Sequence, residues 1–329
     1  MQYRSSADLN RIIVENHYKI PPDVDLIVGI PRSGMLAANL LALHCNLAFV
    51  DLDGFIAGRI FCSGQHRAKI GSRLTSTAEC RKALIIDDSI QTGKEMSRVR
   101  ELLEKAGLTE KSIFAAAICQ PGKEELVDLF FELVPAPRVF EWNLMHGHTL
   151  PRSCVDIDGV LCVDPTKEQN DDGEKYRDFL KTAQPLRIPA ARIGKLVTSR
   201  LEKYRGLTEE WLAKYHIQYD ELVMMQYATA TERQAAKTYA SFKANVYANS
   251  DKTFFVESSD TLSAEIAKLS GKTVLCVETQ CAYSPSGVPH IKQRARDSAA
   301  LAKSFVGRAV RKSFRMVKQP LTLINAKKI

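Results

Sequence analysis

Residues 83–107 constrain the fold more than any other stretch. The unbroken apolar run Ala83-Leu84-Ile85-Ile86 passes into Asp87-Asp88-Ser89-Ile90-Gln91-Thr92-Gly93-Lys94, and a helical pattern then lasts to about residue 107. A short apolar run without alternation predicts a strand buried on both faces, which needs helices above and below it and therefore a parallel α/β sheet. Two acids at the strand's end can accept hydrogen bonds from adjacent sugar hydroxyls. The loop from Ser89 to Lys94 can wrap a phosphate with backbone N–H groups, the Ser89 and Thr92 hydroxyls and the dipole of the following helix.

An earlier stretch repeats the grammar. Asp25-Leu26-Ile27-Val28-Gly29-Ile30 predicts another buried strand, and it runs through Pro31-Arg32-Ser33-Gly34 into a helix over 35–44. Strand, glycine-containing loop and helix N-terminus present free N–H groups to an anion, and Arg32 adds a cation. A helix over 7–17 precedes it, and strands over 113–119 and 138–142 are expected to complete the layer. Between the two loops, residues 51–81 hold four glycines and five basic side chains, the pattern of a long polar loop.

Together these stretches resemble type I phosphoribosyltransferases, which bind 5-phosphoribosyl-1-pyrophosphate (PRPP). The resemblance implies that Asp87 and Asp88 hold the ribose 2- and 3-hydroxyls and that Ser89, Gln91, Thr92, Gly93 and Lys94 cradle the 5-phosphate. Arg32, Ser33 and Gly34 would bind pyrophosphate, and residues 51–81 would form a lid whose cation is Arg73. Lys94-Glu95 departs from the family, where a small residue often follows the loop.

A second acidic strand end follows. Cys154-Val155-Asp156-Ile157-Asp158-Gly159-Val160-Leu161 places two carboxylates on one side of a strand's end, with a glycine letting the chain turn away. Such a pair can hold Mg²⁺, attack phosphorus and move a proton. In chain order come an apolar strand at 193–197 ending in Thr198-Ser199, a helix over 209–215, a strand over 221–225, Lys243 in Phe242-Lys243-Ala244-Asn245, and Phe254-Phe255-Val256-Glu257-Ser258-Ser259-Asp260. This order resembles the haloacid dehalogenase (HAD) superfamily of phosphatases.

By that resemblance Asp156 is the nucleophile and Asp158 the acid and base. Thr198, with Ser199 in reserve, binds phosphate, and Lys243, with Lys237 as rival, neutralises charge. Mg²⁺ sits on Asp156, Asp158 and either Glu257 or Asp260. About 35 residues separate Asp158 from the next strand, enough for a helix over 175–182 but not for a cap domain, so an open phosphatase site is expected.

The expected fold class is α/β: two Rossmann-like three-layer α/β/α domains, a type I phosphoribosyltransferase fold over 1–148 and a HAD-like fold over 149–287. A basic tail follows over 288–329. The chain's 329 residues suffice for two cores. The tail has eleven Lys or Arg against one acid, Asp297, so it outweighs the whole chain's net charge of +8. Residues 299–318 predict an amphipathic helix, which can dock on the protein or lie at an anionic membrane surface. No nucleic acid partner is expected, since the basic tail has no interleaved aromatics. Eight scattered cysteines without a CxxC pair, no apolar run of membrane-spanning length and no leader pattern point to the cytoplasm, with the tail placing the chain peripherally at the inner membrane face.

The functional expectation is a bifunctional enzyme. It transfers 5-phosphoribosyl from PRPP to a glycan acceptor, a lipid-linked sugar, then removes the 5-phosphate, as in the two-domain bacterial proteins of ribofuranose addition that the chain resembles. A nucleobase salvage enzyme with an independent phosphatase and a PRPP-binding regulator are the competing readings.

Overall fold

The computed structural model describes residues 1–61 and 74–289. The expected lid cation Arg73, residues 62–73 of the expected lid and the helix at 299–318 lie outside the described residues. The chain divides into two compact units, Met1–Leu150 and Pro151 onwards.

In the first unit the elements are β1 (Gln2–Arg4), α1 (Ser6–Asn16), β2 (Leu26–Gly29), α2 (Gly34–Cys45), β3 (Ala48–Asp51), α3 (Leu52–Ile56), β4 (Ala83–Ile90), α4 (Lys94–Lys105), β5 (Ser112–Cys119), β6 (Leu129–Leu133) and β7 (Arg138–Phe140). A five-stranded all-parallel sheet runs in the order β3-β2-β4-β5-β6. Alternation along each strand feeds two cores. Ile27, Leu84 and Ile86 pack with Leu9, Ile12 and Ile13 of α1 and Ala37, Ala38 and Leu41 of α2. Leu26, Val28 and Ile85 pack on the other face with Phe55 of α3 and Met96, Val99 and Leu103 of α4. Burial on both faces is why β2 and β4 read as unbroken apolar runs.

Three sequence expectations are corrected here. The strand over 83–86 continues to Ile90, because Asp87 and Ser89–Ile90 stay in register with Ala116 and Ile118–Cys119 of β5. The strand expected over 138–142 ends at Phe140 and leaves the main sheet to pair in parallel with β1, while β6 completes the layer instead. The region 51–81 opens with a short helix, α3, because the Asp51 carboxylate accepts from Gly54 N–H at 2.7 Å and caps it.

In the second unit come β8 (Ser153–Val155), α5 (Glu174–Thr182), β9 (Ile193–Leu201), α6 (Arg205–Lys214), β10 (Tyr219–Met225), α7 (Ala230–Ala236), α8 (Tyr239–Ala248), β11 (Phe254–Glu257), α9 (Asp260–Ser270), β12 (Val274–Cys276) and β13 (Cys281–Tyr283). They form a six-stranded sheet ordered β10-β9-β8-β11-β12-β13, parallel except for β13. Helices α8 and α9 close one core through Ala240, Ala244, Tyr247, Ile266 and Ala267 against Cys154, Val197 and Phe255. Gly194 leaves room for the chain entering β8, since a β-carbon there would meet the Pro151 carbonyl at 2.1 Å. Strand β9 does not stop at Thr198 but runs on to Leu201, past the end of β8. Among the described residues, no helix is long and apolar enough to cross a membrane.

Candidate functional sites

In parallel α/β sheets, ligands bind outside the carboxyl ends of the strands. In the first unit that end gathers the loop after β2, the end of β4 and the N-terminus of α4. Gly34 opens α2 so close to β4 that an added β-carbon would meet the Ile86 carbonyl at 2.9 Å and Asp87 Oδ1 at 3.0 Å. The Arg32 side chain is exposed in the same loop, after a cis Pro31–Arg32 bond. Gly93 takes φ +79° to start α4, where any side chain would strike Leu126. Gln91, Thr92 and Lys94 are exposed around it, as a loop that cradles an anion requires.

The two acids of β4 are not equivalent. Successive residues of a strand point to opposite faces, and β4 stays extended through both. Asp88 is 3% exposed, and both its oxygens are used: Ser33 Oγ donates to Oδ1 at 2.7 Å and Trp142 Nε1 to Oδ2 at 2.7 Å. Asp87 is half-buried and faces Gly34; burial first, then the neighbouring Asp88, pushes its carboxyl well above the usual range. Asp87 and Asp88, the pair expected on the two sugar hydroxyls, thus stand in different surroundings at the end of β4. As the side chains stand, Asp87 faces the loop while Asp88 ties the Ser33 loop to Trp142. The Trp142 contact, across 54 residues, has no signal in sequence.

In the second unit the carboxyl ends of β8, β9 and β11 converge. Lys243 on α8 is buried and donates to Asp156 Oδ2 at 2.6 Å and Glu257 Oε2 at 2.7 Å. Two carboxylates therefore share one ammonium in a dry site. Burial pushes Asp156 up to about 8, against the pull of Lys243 and with the Glu257 and Asp158 charges adding to the rise. Burial works against the Lys243 charge too, but the two carboxylates more than offset it and the ammonium is raised. Asp260, by contrast, is exposed and accepts from Thr279 Oγ1 at 3.1 Å and from the Tyr283 hydroxyl, so Glu257 is the acid placed beside Asp156. Lys237 sits exposed at the C-terminal end of α7.

Two participants carried no sequence signal. Arg200, fully buried on β9, donates to Asp158 from Nη2 to Oδ1 at 2.6 Å and from Nε to Oδ2 at 3.1 Å. It is braced by Thr208 Oγ1 at 3.3 Å. Asp164 closes on Gly159, whose φ of +73° keeps it free of a side chain that would meet Ser258 and Asp164 Oδ2. Partial burial, then Asp158 and Glu257, push the Asp164 carboxyl up. Thr198 is buried with its Oγ1 accepting from Arg200 N–H at 3.2 Å, whereas Ser199 is half-exposed.

The expected Mg²⁺ site can be weighed on this chemistry. Among the described residues, no three His, Cys, Asp or Glu side chains stand close enough to cage a metal ion. The acids gathered there nevertheless offer the oxygen donors that Mg²⁺ takes. Lys243 answers two buried carboxylates, Arg200 is committed to Asp158, and Asp164 adds a further acid.

The comparisons with known proteins bear on the first unit. Residues 3–144 match the family model of the phosphoribosyl transferase domain. Among solved structures, a purine phosphoribosyltransferase from Pyrococcus horikoshii Ot3 is similar at 21% identity and a TM-score of 0.30, covering 43% of this chain and 92% of that one. A Helicobacter pylori xanthine-guanine-hypoxanthine phosphoribosyltransferase is similar at 18% identity and 0.33, with coverages of 43% and 92%. A Giardia lamblia APRTase is similar at 17% and 0.26, with 39% and 80%. No curated protein matches the chain. With the family match spanning the Asp87 and Gly34 loops, residues 3–144 constitute a phosphoribosyl transferase domain.

Proposed function

We propose that the chain is a bifunctional enzyme that transfers 5-phosphoribosyl from PRPP to a lipid-linked glycan acceptor and then strips the 5-phosphate with a HAD-like second domain. The observation that carries the phosphatase half is the Asp156–Lys243–Glu257 cluster, assembled from residues 87 and 14 positions apart at the carboxyl end of a parallel sheet. Its acids follow the chain order of the HAD superfamily, and the Lys243 bond to Glu257 beside Asp156 favours Glu257 over Asp260 for the metal side. The acceptor class rests on the resemblance to two-domain ribofuranosyltransferases, and on the short 159–192 connection, which holds α5 as its only α-helix and leaves the site without an inserted domain.

In the transfer half, Asp87 and the exposed Gln91, Thr92 and Lys94 orient the phosphoribosyl group, and Arg32 and the α2 N-terminus take up charge developing on the leaving pyrophosphate. In the phosphatase half, Asp156 attacks phosphorus to give an aspartyl-phosphate as the sugar's 5-oxygen leaves with a proton from Asp158; Asp158 then takes a proton from the water that releases inorganic phosphate, while Lys243 screens the phosphoryl oxygens. Asp156 and Glu257 would hold Mg²⁺, which supplies charge neutralisation at the phosphoryl group. Arg200 sets the direction of Asp158, the acid and base of the sequence.

The test is incubation of the full chain with PRPP, Mg²⁺ and a panel of lipid-linked sugars and free nucleobases, followed by mass spectrometry. Wild type is expected to add a pentose to a lipid-linked sugar, Asp156→Asn a pentose phosphate, and Asp87→Asn nothing. Consumption of PRPP with a free base alone would replace this reading with nucleobase salvage.

A further inference from the structure

Arg233, on α7, is 7% exposed, and among the described residues no carboxylate forms an ion pair with it. Its Nη1 donates to the Ser199 carbonyl at 2.8 Å and its guanidinium lies 5.8 Å from the Tyr239 ring centre. The buried Nε has no partner. A buried guanidinium facing only neutral groups is costly, and an unused buried donor adds to that cost. Arg200, equally buried, has its carboxylate; Arg233 has none.

Its place in the sheet says what would answer it. The Ser199 carbonyl that Arg233 holds follows Thr198 at the carboxyl end of β9, where the ends of β8 and β11 also converge. Lys243 and Glu257 close the site from the β11 side, so the β9 side is where an uncommitted cation stands.

We propose that Arg233 is an anion-binding residue of the Asp156 site, taking a phosphate oxygen of the phosphorylated substrate on its free Nε. The proposal rests on the phosphatase reading for the substrate's identity, though not for the anion's presence. The side chain is already held by Ser199, and a phosphate reaches the buried Nε by displacing the groups that now cover it.

Three measurements on the full chain test it. With p-nitrophenyl phosphate as substrate, Arg233→Met should raise KM, and the inhibition constant of inorganic phosphate with it, by about 10- to 100-fold, the worth of one charge-assisted hydrogen bond. Arg233→Lys should recover part of both. Without phosphate, Arg233→Met should melt no lower than wild type, because it removes an unanswered buried charge. In crystals grown with sodium tungstate, the anomalous signal should place tungstate within hydrogen-bond reach of the Arg233 guanidinium. Unchanged KM and phosphate inhibition in Arg233→Met, a lowered melting temperature in the absence of phosphate, or tungstate beside Asp156 but away from Arg233 would each overturn the proposal. Tungstate on Arg233 in a protein that hydrolyses no phosphomonoester would sustain the anion site and discard the phosphatase.

Discussion

Arg200 grips Asp158 through both carboxylate oxygens from a fully buried position, while Asp158 itself keeps 19% of its side chain exposed. The two partners are therefore unequal when one is removed. Arg200→Met leaves a carboxylate that water can still reach, whereas Asp158→Ala leaves a guanidinium sealed inside β9. Both should destabilise the second unit, Arg200→Met by about 3 kcal/mol and Asp158→Ala by about 5, the two ends of the range for breaking a buried pair. Urea denaturation would check the order, and a larger loss in Arg200→Met would contradict it.

The Asp156–Lys243–Glu257 cluster predicts non-additivity. Lys243→Met strands two buried carboxylates together and should cost about 3 to 5 kcal/mol along with all phosphatase activity. Adding Glu257→Gln removes one of the two charges that Lys243 had answered. The double variant should accordingly be more stable than the sum of the single losses by about 1 to 3 kcal/mol, read from a double-mutant cycle. Phosphatase activity should not return.

Much of this was legible in residue order. The apolar runs at 26–29, 83–86, 113–118 and 193–197 are strands because a strand covered on both faces needs no polar alternation, and Asp156, Lys243 and Glu257, named from the order of motifs, lie within hydrogen-bond reach of one another. What escaped were contacts that only folding creates. Arg200 reads in sequence as a polar residue beyond a strand's end, yet β9 outruns β8 and carries it inward to Asp158, 42 positions earlier. Asp88 reads as half of a ligand-binding pair, and nothing in residue order shows the Trp142 indole that folding brings to it. Arg138–Phe140 reads as a strand of the main sheet, but a three-residue strand pairs with whichever edge is near, and the N-terminal Gln2–Arg4 supplies it.

Two glycines give opposite expectations. At Gly34 a β-carbon would collide with the Ile86 carbonyl and the Asp87 backbone, neither of which is the flexible end of a side chain. Gly34→Ala should push α2 away from β4, lower the melting temperature and abolish pyrophosphate release. Gly206 lies exposed in α6 with nothing within 4 Å of the added carbon. Gly206→Ala should stabilise the second unit by about 0.5 to 1 kcal/mol through helix propensity alone, leaving both activities intact. Thermal melts and activity assays on the pair would check both signs at once.

Asp25 adds an acid-side pH dependence to the first unit. Its side chain is 6% exposed, and burial alone would raise its carboxyl. Arg81 Nε at 2.9 Å, the Cys80 thiol at 3.2 Å and the Arg81 backbone N–H at 3.1 Å outweigh that and hold it below the usual carboxylate range. A depressed carboxyl stabilises the fold fully above its unfolded value, near 3.9 by the order-of-magnitude reference of about 4, and the contribution is lost as pH falls through the lower folded value. Asp25→Asn should therefore cost about 1 kcal/mol at neutral pH, the low end for charged hydrogen bonds because Arg81 is largely exposed. Below about pH 4 the wild-type and Asp25→Asn denaturation curves should converge, because protonated Asp25 accepts little more than the amide does. Curves that stayed equally far apart down to pH 3 would place the stabilisation in packing around Cys80 and Lys82 and not in the carboxylate's charge.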